Sequence, residues 1–164
     1  MSQVPQAHLQ EAFLQASLSQ ARLEMFAQQA RSRQRPREAE LYDALAASLK
    51  VHVRRFLMLM RGKLGDIAAN LGETRDEMLP GLLQGYAELV AQADQAGRRV
   101  DGTALDQSAQ VAQRQGELAQ ALTEGGQEAG PYLVCSICGW LATGSAPERC
   151  PVCGAVHEKF QPIA

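Results

Sequence analysis

The chain has 164 residues, 46% apolar and 21% charged, with a formal net charge of -2. Those proportions belong to a folded protein and exclude a disordered, collagenous or fibrous one. The near-neutral balance argues against general nucleic-acid binding, which needs clustered positive charge to displace counterions. Aromatics make up only 5% of the residues, and plentiful Ala, Leu and Gln favour helices over a β-sandwich.

In chain order, the start Met1-Ser2-Gln3-Val4-Pro5 has neither a basic opening nor an apolar stretch behind it, so no export signal is expected. From about His8 to Arg33, Leu9, Ala12, Phe13, Ala16, Leu23, Phe26, Ala27 and Ala30 recur at steps of three and four, which predicts an amphipathic helix. Pro36 breaks this pattern and suits the first turn of a second helix, expected from about Arg37 to Gly62. Its apolar stripe reads Leu41, Leu45, Ser48, Leu49, His52, Phe56 and Met60. The longest purely apolar run, Phe56 to Met60, is far too short for a membrane span.

After Gly62 and Gly65, further helical sequence runs from about Asp66 to Ala96, with Pro80 and Gly81 expected to kink or divide it. Gly97 to Gly102 closes that stretch. A fourth helix from about Thr103 to Glu124 carries Leu105, Ala112, Leu118 and Leu122. Four helices with short breaks predict an antiparallel bundle over residues 1–124. A linker by composition follows at 125–131, and a turn-rich, cysteine-bearing module at 132–164.

All four cysteines lie in that last module: Cys135, Cys138, Cys150 and Cys153. A disulfide scaffold would spread them along the chain, so the clustering points to a metal. Two CxxC pairs separated by eleven residues set four thiolates at the corners of a tetrahedron, which suits Zn²⁺ or a single iron. Gly139 and Gly154 let the backbone turn after each pair, so that N–H groups can point at the sulfurs and stabilise their charge. A unit of about thirty residues has too small a core to fold unaided, so the metal should supply most of its stability. Thiolates available for metal fit a reducing cytoplasm.

The flanking residues go further. Tyr132-Leu133-Val134-Cys135-Ser136-Ile137-Cys138-Gly139-Trp140, then Ala146-Pro147-Glu148-Arg149-Cys150-Pro151-Val152-Cys153-Gly154 and Phe160, resemble the rubredoxin-like tail of rubrerythrins. The spacing between the cysteine pairs is one residue shorter than is usual there, and the turn from Trp140 to Ser145 is where the shortening falls. The resemblance implies a one-electron iron centre held by the four cysteines, with Tyr132, Trp140 and Phe160 packing a small core. It also implies a ferritin-like four-helix bundle ahead of the tail, all-α in class, and a homodimer.

In rubrerythrins that bundle holds two irons on Glu residues and Glu-x-x-His pairs. Ala12-Phe13, Phe26-Ala27, His52, Phe56, Asn70-Leu71, Tyr86 and Gly97 are similar to the family's landmarks and fix the placement. The ligand positions then fall on Ala16, on Leu49 and His52, on Met78 and Gly81, and on Val111 and Arg114 (or Ala112 and Gln115 one residue on). Iron needs anionic oxygen donors, and these residues supply none, so no diiron centre and no diiron peroxidase chemistry is expected. Glu24, Glu73, Asp76, Glu77 and Glu88 are the nearest other carboxylates; Glu73, Asp76 and Glu77 share one helical face at i, i+3 and i+4 and read as a solvated helix start favoured by the dipole. His52 reads as a core or boundary histidine, and Met58, Met60 and Met78 as core filler.

Arg31, Arg33, Arg35 and Arg37 beside Pro36 read as an inter-helix loop, with docking to an acidic redox partner as the sharper alternative. Besides a surviving peroxidase with a rebuilt site, which would need more than one iron per chain, two functions compete. One is one-electron transfer through a single Fe²⁺/Fe³⁺ centre to a redox partner whose identity the sequence does not carry. The other is a non-catalytic interaction or regulatory protein stapled by structural Zn²⁺. No nucleic acid and no membrane is expected as a partner.

Overall fold

A computed structural model describes residues 7–61, 64–126 and 130–163. Gly62, the centre of the expected linker at 127–129, and the first six residues lie outside the described residues. The elements are α1 (Ala7–Ser32), α2 (Pro36–Arg61), α3 (Ile67–Glu73), a π-helical turn (Thr74–Met78), α4 (Leu79–Gln95) and α5 (Arg99–Thr123). Three short strands follow: β1 (Tyr132–Cys135), β2 (Leu141–Thr143) and β3 (Phe160–Pro162), the last preceded by a 3₁₀ turn at His157–Lys159. No described helix is long and apolar enough to cross a membrane. Contacts divide the chain into two units, residues 1–64 and 65–164.

The first unit is the α1–α2 hairpin. Its contact seam is built of small residues: Ala16, Ala27 and Ala30 on α1 and Ala39 and Ala46 on α2 are all buried. On α2 the seam continues through the partly buried Tyr42, Leu49, Val53, Phe56 and Met60, a strict alternation of three- and four-residue steps. Phe26 meets Tyr42 edge-on at 5.6 Å, and Arg31 pairs with Asp43 at 2.6 Å, so the two helices run antiparallel from the turn. The expected α2 stripe is corrected here. Leu41, Leu45, Ser48 and His52 lie on a different face and are exposed. Alanines win the seam because two helices can approach closely only where Cβ is the largest atom in the way.

Three helix ends share one device. After α1, Arg35 N–H bonds to the Ala30 carbonyl at 2.9 Å and Gln34 N–H to that of Arg31 at 3.0 Å. After α4, Arg98 N–H reaches Ala93 and Gly97 N–H reaches Asp94; after α5, Gly126 N–H reaches Ala121 and Gly125 N–H reaches Leu122. This paired 6→1 and 5→2 pattern places one residue in the left-handed region. Gly97 (φ 68°) and Gly125 (φ 79°) fill it at two ends, but at the first it is Gln34 (φ 56°).

The second unit opens with α3, whose N-cap Asp66 accepts from Ala69 N–H at 2.8 Å. The division expected at Pro80–Gly81 falls one turn earlier, at Thr74–Met78. Pro80 sits in the first turn of α4, where its missing N–H would otherwise break the ladder. The wider π turn ahead of it absorbs the mismatch. α5 begins four residues before the expected start. Gly102 does not end a loop: it is a buried helical residue at which an added Cβ would stand 3.2 Å from Asp94 Oδ1 and 3.8 Å from Ala93 Cβ. It lets α4 and α5 approach.

In the tail, the strands form one antiparallel sheet in the order β2-β1-β3. Leu133 faces Ala142 and Pro162, and Cys135 faces Phe160. Cys135, Ala142, Cys150 and Phe160 are its buried core. Trp140 and Phe160 meet edge-to-face at 6.2 Å. Tyr132 is partly buried at the start of β1 and stands outside that cluster.

Gln34→Gly relieves the left-handed strain that Gly97 and Gly125 avoid. It is expected to stabilise the protein by roughly 1 kcal/mol, read as a rise in the denaturant midpoint; an unchanged or lower midpoint would contradict the motif assigned to the α1 terminus.

Candidate metal centre

The two CxxC loops have the same construction. Gly139 N–H bonds to the Cys135 carbonyl at 2.8 Å, and Gly154 N–H to that of Cys150 at 2.9 Å. Cys135 N–H then bonds to the Trp140 carbonyl at 2.9 Å, and Cys150 N–H to that of Ala155 at 2.8 Å. Each loop therefore closes on itself one residue after a glycine with positive φ, 83° at Gly139 and 73° at Gly154. A side chain there would be strained by the backbone alone. The first loop is braced by Ser136 N–H on the Lys159 carbonyl at 2.8 Å, and the second by Arg149 Nη1 on the Gly154 carbonyl at 3.2 Å.

This construction brings the four sulfurs together. Cys135 and Cys153 Sγ are 3.7 Å apart, Cys138 and Cys150 Sγ are 3.5 Å apart, and all four lie within 4.8 Å of one another. Four sulfurs bound to one ion at about 2.3 Å stand about 3.8 Å apart along the edges of a tetrahedron. The observed separations fit that shell, and they are far longer than a disulfide bond of about 2.05 Å. Among the described residues this is the one group of three or more His, Cys, Asp or Glu side chains close enough to share an ion.

The electrostatics of the sulfurs are uneven. Burial pushes the Cys138 thiol up, the neighbouring sulfurs push it further, and the N–H of Trp140 opposes the rise. Burial likewise raises Cys153, against an N–H from Ala155. Cys135 meets the same burial cost, but the N–H groups of Cys138 and Ile137 and the adjacent sulfurs outweigh it, so its thiol lies below the ordinary range. These N–H groups are the donors that a metal-bound thiolate requires. The four cysteines are thus positioned to bind one metal ion, and four thiolates suit zinc and iron alike.

Sequence comparison decides what kind of module this is. Residues 134–161 match the family described as the rubrerythrin rubredoxin-like domain. The tail is similar to the rubredoxin-like domain of rubrerythrins. Solved structures of nigerythrin, a member of the rubrerythrin family, share the fold over nearly the whole chain. The partially reduced state matches at a TM-score of 0.54 and 18% identity, covering 96% of this chain and 86% of that one. The fully reduced, all-ferrous state matches at 0.53 and 19% over the same shares. No curated protein matches the chain by sequence. The chain therefore has a nigerythrin-like fold, predominantly helical and ending in the rubredoxin-like domain.

The helical positions singled out by the resemblance are dispersed in character. Ala16 is buried in the α1–α2 seam, Leu49 is partly buried, and Met78 and Gly81 are exposed. His52 is exposed, with its ring 6.3 Å from that of Phe56. The expectation of a core or boundary histidine is corrected accordingly: His52 lies one residue off the seam that Leu49, Val53 and Phe56 define. Glu24 accepts from Gln20 at 3.2 Å and Glu88 from Gln84 at 2.9 Å, while Asp76 pairs with Arg75 at 2.5 Å. Glu73 closes α3, and Asp76 and Glu77 fall in the π turn, so the three do not share an α-helical face.

On α5, Val111 and Ala112 are buried, and Arg114 reaches the rubredoxin-like domain. Its Nε donates to the Leu141 carbonyl at 3.3 Å, and its guanidinium lies 5.8 Å from the centre of the Trp140 ring. Sequence reasoning treated Arg114 only as a position where a ligand is missing. No local pattern links residue 114 to residue 140.

Burial shifts the Cys138 and Cys153 thiols upward, whereas a metal takes thiolates, so binding must expel protons and apparent affinity must fall as pH falls. Loading metal-free protein with Zn²⁺ near neutral pH is expected to release more than one proton per ion, and acidification to release the metal. Pairing a pH indicator with metal titration checks this, and binding without proton release would contradict it. Cys150→Ser is expected to lose the metal and, with it, the tail's protease resistance.

Proposed function

We propose that the protein is a one-electron carrier whose single iron is held by Cys135, Cys138, Cys150 and Cys153. The observation that carries this reading is the sulfur cluster within a rubrerythrin-type rubredoxin-like domain. When bound, the iron supplies a single-electron step between Fe³⁺ and Fe²⁺. The chain's own residues make that step easy by changing little. The two loops hold the thiolates in one geometry through their backbone bonds. The N–H groups of Ile137, Cys138, Trp140 and Ala155 face the sulfurs whose charge rises on reduction. Ala142, Phe160 and the ring of Trp140 keep water from the buried Cys135 and Cys150. Pro151 is exposed beside Cys150, which offers an outside donor or acceptor a short approach.

In this reading the helices are a scaffold and carry no peroxidase chemistry of their own. It is supported by the residues at the positions that match the family's helical ligands: Ala16, Leu49, Met78 and Gly81 offer a metal no anionic oxygen. The same residues favour a second reading, in which the tail has no acceptor in its own chain and the four cysteines hold structural Zn²⁺ in an interaction protein. The reading also includes the homodimer expected from the resemblance, which light scattering at twice the chain's 17.8 kDa would test.

Metal analysis with a visible spectrum on freshly purified protein separates the two. Electron transfer predicts a red protein with one iron per chain, bleached by a reductant and recoloured on oxidation. A colourless protein holding one zinc per chain, purified from iron-replete cells, would overturn it in favour of the staple. Two or more irons per chain would overturn both.

A further inference from the structure

Arg114 stands where α5 meets the rubredoxin-like domain. Its side chain is three-quarters buried. It donates from Nε to the Leu141 carbonyl, lies over the Trp140 ring, and pairs through Nη1 with Glu117 of its own helix at 3.5 Å. One turn earlier, Val111 Cγ1 is 3.9 Å from the point where a Cβ on Gly139 would stand. The segment Gly139-Trp140-Leu141 therefore rests on α5, held by one apolar and one cationic residue.

That segment is tied directly to two of the four ligands. The Trp140 carbonyl accepts from Cys135 N–H at 2.9 Å, and the Trp140 N–H faces the Cys138 sulfur. The Trp140 ring meets Phe160 of the tail's core. An arginine that served only its helix would need Glu117 and nothing else. This one also lies over the ring and gives its Nε to the next carbonyl, so it holds the segment whose backbone bonds to Cys135 and Cys138.

We propose that Arg114 is a positioning residue for the metal centre. It holds Trp140 and Leu141 against α5, fixes the N–H that Trp140 gives to Cys138, and keeps a cation beside the four-thiolate site. The inference rests on the four cysteines holding a metal, and is independent of whether that metal is iron or zinc. Where it is iron, a cation near the shell favours the more negative, reduced state and raises the midpoint potential.

The test compares the full-length protein, as purified with its own metal, with Arg114→Leu and Glu117→Gln. Trp140 is the sole tryptophan, so tryptophan emission reports the surroundings of this one residue. With helix content unchanged, Arg114→Leu is expected to make Trp140 more accessible to acrylamide quenching and to speed metal loss to a chelator about tenfold. In an iron-loaded protein it also shifts the midpoint potential downward. Glu117→Gln is expected to leave quenching and metal loss near wild type. If Arg114→Leu matches wild type in quenching and metal loss, the proposal is overturned, as it is if Glu117→Gln reproduces the whole effect. Should Arg114→Leu fail to fold, Arg114→Lys keeps the charge but loses the planar face and the Nε donor. The same rise in Trp140 quenching is then expected, and its absence overturns the proposal. A wild-type protein that purifies without metal would sink the metal reading instead, while the quenching comparison still decides whether Arg114 docks the tail.

Discussion

Four sulfurs within 4.8 Å of one another form the constraint on which the tail depends. As thiolates without a cation they would repel strongly in a poorly solvated place; as thiols they would leave a core made partly of weak donors. Of the four buried residues in that core, two are cysteines. The remaining pair, Ala142 and Phe160, offer too little apolar area to order about thirty residues against their conformational entropy. The metal site and the fold of the tail are therefore one object. The loops need the ion to hold their sulfurs together, and the ion needs the loops to aim N–H groups at the charge it leaves on them.

The same economy explains the sheet. β1 is central, pairing with β2 on one side and β3 on the other. It ends at Cys135, so the strand delivers a ligand directly from the core. β3 places Phe160 opposite that cysteine, and the Trp140 ring meets it edge-on, an arrangement worth about 1 kcal/mol beyond area burial. Metal geometry, strand register and aromatic packing thus converge on one residue. On its far side, the loop that follows Cys138 lies on α5, where the cation over Trp140 adds about 0.5–1 kcal/mol at such a partly exposed site.

The cysteine centre was legible in the sequence because all its determinants are local: two residues between ligands, a glycine after each pair, an aromatic after the first. The helix ends were legible where a proline or a left-handed glycine marks them, as at Pro36 and Gly97. The start of α5 was misplaced because Gly102 serves packing, whereas the end of α1 fell within a residue of its expected place although Gln34 does the work of a glycine there. The buried face of α2 was misread for a different reason. Its sequence carries two periodic stripes, and residue size favours the one with Leu41 and Leu45. The partner helix selects the other, since only Ala39 and Ala46 let it come close. Arg114 lay beyond any sequence rule, because its contacts join residues 27 apart through a guanidinium that no motif predicts.

Redundancy of this kind bears on what the helices are for. Alanine seams, a buried Gly102 and Schellman-type ends let the helices of each hairpin pack closely. α5 is the helix placed to reach the metal centre: its Val111 and Arg114 lie one turn apart and meet the Gly139-Trp140-Leu141 segment, whose backbone carries hydrogen bonds to Cys135 and Cys138. A change on α5 therefore reaches the thiolates through the Gly139-Trp140-Leu141 segment, whereas Pro151 on the second cysteine loop is exposed.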